Sequence, residues 1–118
     1  MDVKGPRLYN TLHRRVEPVV GTGRLGWYGC GPTVYGPAHV GNFRTYVVQD
    51  VFLRLLKVRG NEVTYVRNVT DVDDKTIRGS RTQGLSLKSF TDKWYARFRT
   101  DSKKLNLLSP TVEPKATE

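Results

Sequence analysis

The sequence predicts an α/β fold built around a parallel β–α–β unit and followed by further helices. Three observations predict it. Residues 25–30 (LGWYGC) form a short apolar run, as a buried strand would. From Pro37 to Gly60 the apolar residues recur at steps of three and four, the period of a helix. Residues 62–68 (EVTYVRN) alternate and are rich in β-branched side chains, which suits a second strand. A strand–helix–strand crossover pairs its strands in parallel and is nearly always right-handed.

Before this unit, residues 7–20 read as an extended segment, a hairpin ended by Pro18, with Gly21 and Gly23 making a turn. Residues 31–37 (GPTVYGP) carry two Gly and two Pro and read as a loop. The helix that follows runs for about five turns. Its apolar face is expected to hold Val40, Phe43, Val47, Val48, Val51, Phe52 and Leu55, with Asn42, Gln49, Arg54 and Lys57 falling between them. Pro37 suits the first turn, where a missing N–H costs nothing, and Gly60 supplies the stop. After Asn68 a second helix reaches about Gln83 and breaks at Gly84. Ser86 can cap a third, to about Leu105, with Leu87, Phe90, Trp94 and Phe98 on one face. The chain thus divides into residues 1–108, one folded unit, and residues 109–118, a linker or frayed tail with two Pro and few apolar residues.

A chain of 118 residues suits one domain. Twenty Lys and Arg against 11 Asp and Glu give a net charge of +9, which favours an anionic partner, nucleotide or nucleic acid. The excess is uneven, +6 over residues 1–59 and +3 over residues 60–118. Leaving Gly aside, the longest unbroken apolar runs are three residues, such as Val51–Leu53, so no membrane-spanning segment is expected. The first residues carry no apolar run of the secretory type. A single Cys excludes an internal disulfide framework and a self-contained Cys-rich zinc site. These features describe a soluble, basic, cytoplasmic protein.

Chemistry concentrates at the first strand-to-helix junction, Cys30-Gly31-Pro32-Thr33-Val34-Tyr35-Gly36-Pro37-Ala38-His39-Val40-Gly41-Asn42. A helix N-terminus presents unpaired N–H groups and the positive end of the dipole, so a phosphate fits there. His39 and Asn42 lie one turn apart and both can donate to phosphate oxygens. Gly41 removes a Cβ, which lets a flat group such as a purine approach the backbone. The plainer alternative is a tight loop with two incidental polar residues. Cys30 alone reads as a small hydrophobe at the end of a strand. Thr70 reads as a helix cap, and Asp71, Asp73 and Asp74 as complements to a helix dipole rather than a magnesium cluster. The stripe Leu87, Phe90, Trp94, Phe98 reads as core rather than as a base-stacking platform.

Four blocks in order then carry a resemblance: Leu8-Tyr9-Asn10-Thr11-Leu12, Cys30-Gly31-Pro32-Thr33-Val34-Tyr35, His39-Val40-Gly41-Asn42 and Asn68-Val69-Thr70-Asp71-Val72-Asp73-Asp74-Lys75. Together with Glu113-Pro114-Lys115-Ala116-Thr117-Glu118, they resemble the N-terminal part of the cysteinyl-tRNA synthetase family of class I aminoacyl-tRNA synthetases. The resemblance implies the first half of a Rossmann-like catalytic domain. It also implies ATP-dependent activation of cysteine, with Mg2+, and transfer to tRNA(Cys). His39 and Asn42 would be catalytic in a HIGH-type ATP site to which Thr33 and Gly41 belong. Asn42 stands where the motif often has a second His, and Gly36 where the family commonly has Asp. Cys30 resembles the family's first zinc ligand, while Cys30, Gly31 and Thr70 would bind the amino acid. The family's other zinc ligands and its Lys-Met-Ser-Lys-Ser loop are not in this sequence. The isolated chain is therefore expected to be catalytically incomplete and, with strand edges and sheet faces uncovered, to self-associate. Three rival readings are a cysteine ligase of the same superfamily acting on an amino sugar, a shorter adenylyltransferase with the same His-x-Gly-x site, and a freestanding nucleotide- or RNA-binding module.

Overall fold

The computed structural model describes residues 5–19 and 23–118. The expected turn at Gly21, like Val20 and the first four residues, lies outside the described residues. The elements run β1 (Arg7–Asn10), β2 (Arg15–Pro18), β3 (Arg24–Gly29), α1 (Val40–Val58), β4 (Glu62–Arg67), α2 (Asp74–Thr82) and α3 (Leu87–Lys104). Strands β1 and β2 make the expected antiparallel hairpin, with Leu8 opposite Glu17. Strands β3 and β4 pair in parallel, Trp27 opposite Tyr65 and Gly29 opposite Arg67, with α1 as the crossover.

Helix α1 starts three residues later than Pro37 suggests. His39 is the N-cap, because its ring nitrogen supplies the acceptor that the first turn needs. Gly60, at φ +84°, turns the chain away after the C-cap Arg59. The buried face of α1 also differs from the expected stripe. Phe43, Tyr46, Leu53 and Leu56 are buried, whereas Val40, Val47, Val48, Val51 and Leu55 are 86%, 40%, 50%, 58% and 38% exposed. Apolar residues nearly encircle this helix, so the pattern alone leaves two faces to choose between. The larger rings and leucines turn toward β4 and α3, where they bury the most area.

Two clusters make the core. Leu53 and Leu56 pack on Val63 and Tyr65, with Leu25, Trp27 and Leu108 around them. Trp27 stacks on Phe52 at 5.9 Å. Phe43 stacks on Phe98 of α3 at 5.6 Å, and Tyr46 meets the same ring edge-on at 5.1 Å. Phe90 and Phe98 are fully buried while Leu87 and Trp94 are half-buried, so the α3 stripe packs mainly as core. The expectation that β3 is buried holds for one face only. Its alternation places Tyr28 64% in solvent. Among the described residues no strand pairs with the outer edge of β3.

The last ten residues depart from a linker or frayed tail. They run parallel to β4, bridging Val66 to Val112 and Val69 to Lys115. Arg67 N–H donates to Val112 O at 3.1 Å, Val69 N–H to Pro114 O at 2.8 Å and Ala116 N–H to Val69 O at 3.0 Å. Few apolar residues are needed here, because backbone hydrogen bonds and one buried ion pair hold the segment. Arg67, 4% exposed, donates through Nε to Glu113 at 2.7 Å. Its guanidinium lies 5.0 Å from the centre of the Phe98 ring and also faces Tyr46 and Tyr65. Tyr95 donates its hydroxyl proton to the other Glu113 oxygen. No helix among the described residues is long and apolar enough to cross a membrane.

Candidate functional site

The site is built where β3 and β4 end. Their carboxyl ends point the same way because the strands are parallel, and loops leaving that end are where open α/β sheets hold ligands. Two loops leave it, 30–39 after β3 and 68–73 after β4, and they are stitched together. Gly31 N–H donates to Asn68 Oδ1 at 3.0 Å. Thr70 N–H donates to Pro32 O at 2.9 Å, and Val34 N–H donates to Thr70 O at 3.1 Å. The result is a parallel bridge between Thr33 and Thr70. Gly31 and Thr33 of the first loop are thereby held against Asn68 and Thr70 of the second, with Cys30 next in sequence to Gly31. A Cβ on Gly31 would lie 1.6 Å from Asn68 O, so the seam closes only with glycine there. Cys30 is exposed, unlike the small buried hydrophobe that its place at a strand end suggests.

At the other end of the first loop, His39 and Asn42 are engaged with each other's backbone surroundings. Asn42 Oδ1 accepts from His39 N–H at 3.1 Å, and His39 Nδ1 accepts from Gly41 N–H at 3.1 Å. A nitrogen that accepts from a backbone N–H carries no proton, so the neutral ring holds its proton on Nε2. Both residues are exposed, and each keeps a side-chain donor free of the cap, Nε2–H on His39 and Nδ2–H on Asn42. Asn42 N–H and Phe43 N–H both donate to His39 O. The first turn is therefore not a row of bare N–H groups. A phosphate there would meet side-chain donors. Gly41 also serves differently from the expected purine approach. Its missing Cβ would lie 2.9 Å from His39 Cε1, so glycine makes room for the capping ring.

Beside this loop lies a cleft of only ≈ 40 Å³, lined by Thr33, Tyr35, Asn42, Tyr46, Trp94 and Phe98 among others. Ligand pockets usually measure ~300–1,000 Å³, so this cleft is too small to enclose a drug-sized ligand. Trp94 Nε1 is buried there without a protein partner, which a single water would satisfy. Burial pushes the Tyr46 hydroxyl up to about 12, against the pull of the Arg67 charge, so it stays protonated at neutral pH. Lys75 sits 4.8 Å over the Tyr35 ring and brings a cation to the loop's rim.

The acidic triplet separates into three roles. Asp73 caps α2, accepting from Thr76 N–H at 2.8 Å, and Asp74 lies in the first turn, as the helix-start reading expects. Asp71 is buried and accepts from Thr117 N–H and Thr117 Oγ1, which ties the last residues to the seam. Thr70 is not a cap; its backbone is part of the bridge. Among the described residues no three of His, Cys, Asp and Glu gather as a metal site. Zinc sites use three or four protein ligands, and Cys30 by itself does not fit that requirement. Nothing in the spacing singles out Asn68 or Glu113; the one signal for Asn68 is an Asn directly after an alternating strand, where the chain must turn.

A seam at the carboxyl ends of two parallel strands, leading to a helix capped by a histidine, is the arrangement of an α/β domain with its candidate site at the strand ends. A family model described as tRNA synthetases class I (C) catalytic domain matches residues 16–118, and the chain belongs to that family, as the N-terminal part of its catalytic region. Among curated relatives, a cysteine–tRNA ligase of Anaplasma marginale is 50% identical over 114 residues, which is 95% of this chain and 24% of that relative. The cysteine–tRNA ligase of Opitutus terrae is 47% identical over 94% of this chain and 25% of its own length. That of Methanosarcina mazei is 45% identical over 95% of this chain and 24% of its own. The chain spans about a quarter of the length of the curated relatives it matches.

Proposed function

We propose that this chain supplies the amino-acid and ATP-facing loops of a cysteine–tRNA ligase. The carrying observation is the seam that gathers Gly31 and Thr70 beside the loop leading to His39. In this reading, cysteine lies along Cys30, Gly31 and Thr70, and ATP lies over Thr33, Gly41, His39 and Asn42 with Mg2+ on its phosphates. The cysteine carboxylate attacks the α-phosphate of ATP, and pyrophosphate leaves. His39 Nε2–H and Asn42 Nδ2–H donate to phosphate oxygens as negative charge builds on the leaving group, so they act most strongly in the transition state. The cap holds the His39 tautomer that makes this possible. The activated cysteine then passes to tRNA(Cys). Zinc, where present, prefers the sulfur of a thiolate and so favours cysteine over serine. This chain offers it one thiol, that of Cys30. In this reading the half-site belongs to a cytoplasmic protein, and the segment 109–118 is part of its support.

The test is cysteine-dependent ATP–pyrophosphate exchange, run on the protein as its gene encodes it and on the 118-residue chain. The short chain is expected to be silent. It lacks the second ATP loop, and parts of a site drawn from distant segments do not hold reactive geometry alone. In the encoded protein His39→Ala should slow exchange about a hundredfold, ~3 kcal/mol, with cysteine affinity retained. Unchanged exchange, or an equal loss of both, would remove the assigned role. The same reading has the isolated chain self-associating through the bare β3 edge, Tyr28 and the valines on the outer face of α1, against its +9 charge. Sedimentation over a concentration series measures this, and a monomer throughout would contradict it.

A further inference from the structure

We infer that Asn68 is the positioning residue of the amino-acid end of the site, holding Gly31 in place and presenting the Thr70 hydroxyl as a hydrogen-bond donor; this rests on the function proposed above. The carboxamide sits just beyond β4, between the two loops. Its Oδ1 accepts from Gly31 N–H at 3.0 Å, and its Nδ2 lies 3.4 Å from Thr70 Oγ1. The chemistry of the partners decides which end faces which. A backbone N–H can only donate, so the oxygen of Asn68 must face Gly31 and the NH2 must face Thr70. The Thr70 oxygen therefore accepts from Asn68, and its own proton is left to give to a ligand. Thr70 is half-buried and its backbone is locked by Pro32 and Val34, which fixes where its side chain leaves the seam. The backbone of Asn68 reinforces this arrangement, because its carbonyl occupies the space where any side chain on Gly31 would begin. One residue thus sets the spacing of the seam and the polarity of its hydroxyl. The matching feature of the substrate is an acceptor atom, such as a carboxylate oxygen, rather than a donor.

Two variants separate the two bonds. Asn68→Asp keeps an oxygen for Gly31 but replaces the donor to Thr70 with an acceptor, which draws the Thr70 proton toward residue 68. Asn68→Ala removes both bonds. Cysteine-dependent ATP–pyrophosphate exchange of the encoded protein gives KM for cysteine and for ATP separately. Hydrogen exchange of the Gly31 amide in the same encoded protein, followed by NMR, reads the seam without reference to activity. For Asn68→Asp we expect KM for cysteine to rise about tenfold, the weight of one hydrogen bond, with KM for ATP and Gly31 exchange unchanged. For Asn68→Ala the Gly31 amide should also exchange at least about tenfold faster. A wild-type KM for cysteine in Asn68→Asp, or an equal rise in both KM values, overturns the positioning role. Unchanged Gly31 exchange in Asn68→Ala overturns it too. Absence of cysteine-dependent exchange in the unaltered protein would instead sink the proposed function, and the Gly31 amide would still judge whether Asn68 holds the seam.

Discussion

The N-terminal hairpin and the C-terminal segment use the same materials to different effect. Each is a short extended stretch tied down by an Arg–Glu contact. In the hairpin Glu17 accepts from Arg15 at 2.6 Å and from Asn10 at 2.8 Å, with His13 at 3.0 Å. The side chains of Arg15 and His13 stand 72% and 51% in solvent. In the C-terminal segment the pair is Arg67 and Glu113, whose side chains are 5% and 14% exposed, with three aromatic rings against the guanidinium. Water weakens the first contact and competes for its partners. The second has no such competitor, so each charge depends on the other. The lesson is that an ion pair's weight is set by its surroundings more than by its length.

The largest effect is expected at the buried pair. Glu113→Gln keeps the shape but leaves the Arg67 charge uncompensated, which should cost about 3 kcal/mol in thermal or urea unfolding. A loss near zero would mean that water reaches Arg67 and that the two regions are alike after all. Replacing both partners with apolar residues should recover much of the loss, because no lone charge then stays buried.

An intermediate effect is expected from alkali. Burial holds the hydroxyls of Tyr46 and Tyr95 up to about 12, and the bond to Glu113 adds to the shift at Tyr95. An unfolded tyrosine ionises near 10. Between these values the unfolded chain gives up protons that the folded chain keeps, so stability is full below about pH 10 and declines as pH rises toward 12. Melting temperatures taken from pH 9 to 12 should fall over this window, and Tyr95→Phe should flatten part of the fall. A flat profile would show that these tyrosines are not sheltered.

The smallest effect belongs to the hairpin. Glu17→Gln should barely shift the melting temperature, and any shift should vanish near 1 M salt, where charges are screened within about 3 Å. A loss as large as that of Glu113→Gln would erase the contrast between the regions.

Much of the frame is legible in the sequence. Alternation and period name β4 and α3 closely, and α1 apart from a start three residues beyond Pro37, because a pleated strand and a helix each impose their own spacing on burial. The order of His39 and Asn42 was legible too, and so was the motif that points to a synthetase. The sequence pattern failed where one residue has two plausible partners. Val47, Val51 and Leu55 match the helical period as well as Tyr46, Leu53 and Leu56 do. Only the position of β4 and α3 selects between the two faces.

What the sequence by itself determined, then, is the set of local elements and the chemistry on offer: a Gly-rich loop, a histidine one turn before an asparagine, a lone thiol and an acidic triplet. These follow from backbone preference and side-chain type, which act over a few residues. Tertiary structure alone decided that Gly31 meets Asn68, that the His39 ring caps its own helix over Gly41, and that residues 109–118 lie along β4 instead of fraying. Each of these is a contact whose partner is set by packing, and a buried hydrogen bond or charge is satisfied by whatever the fold brings within reach. Periodicity carries no record of that distance.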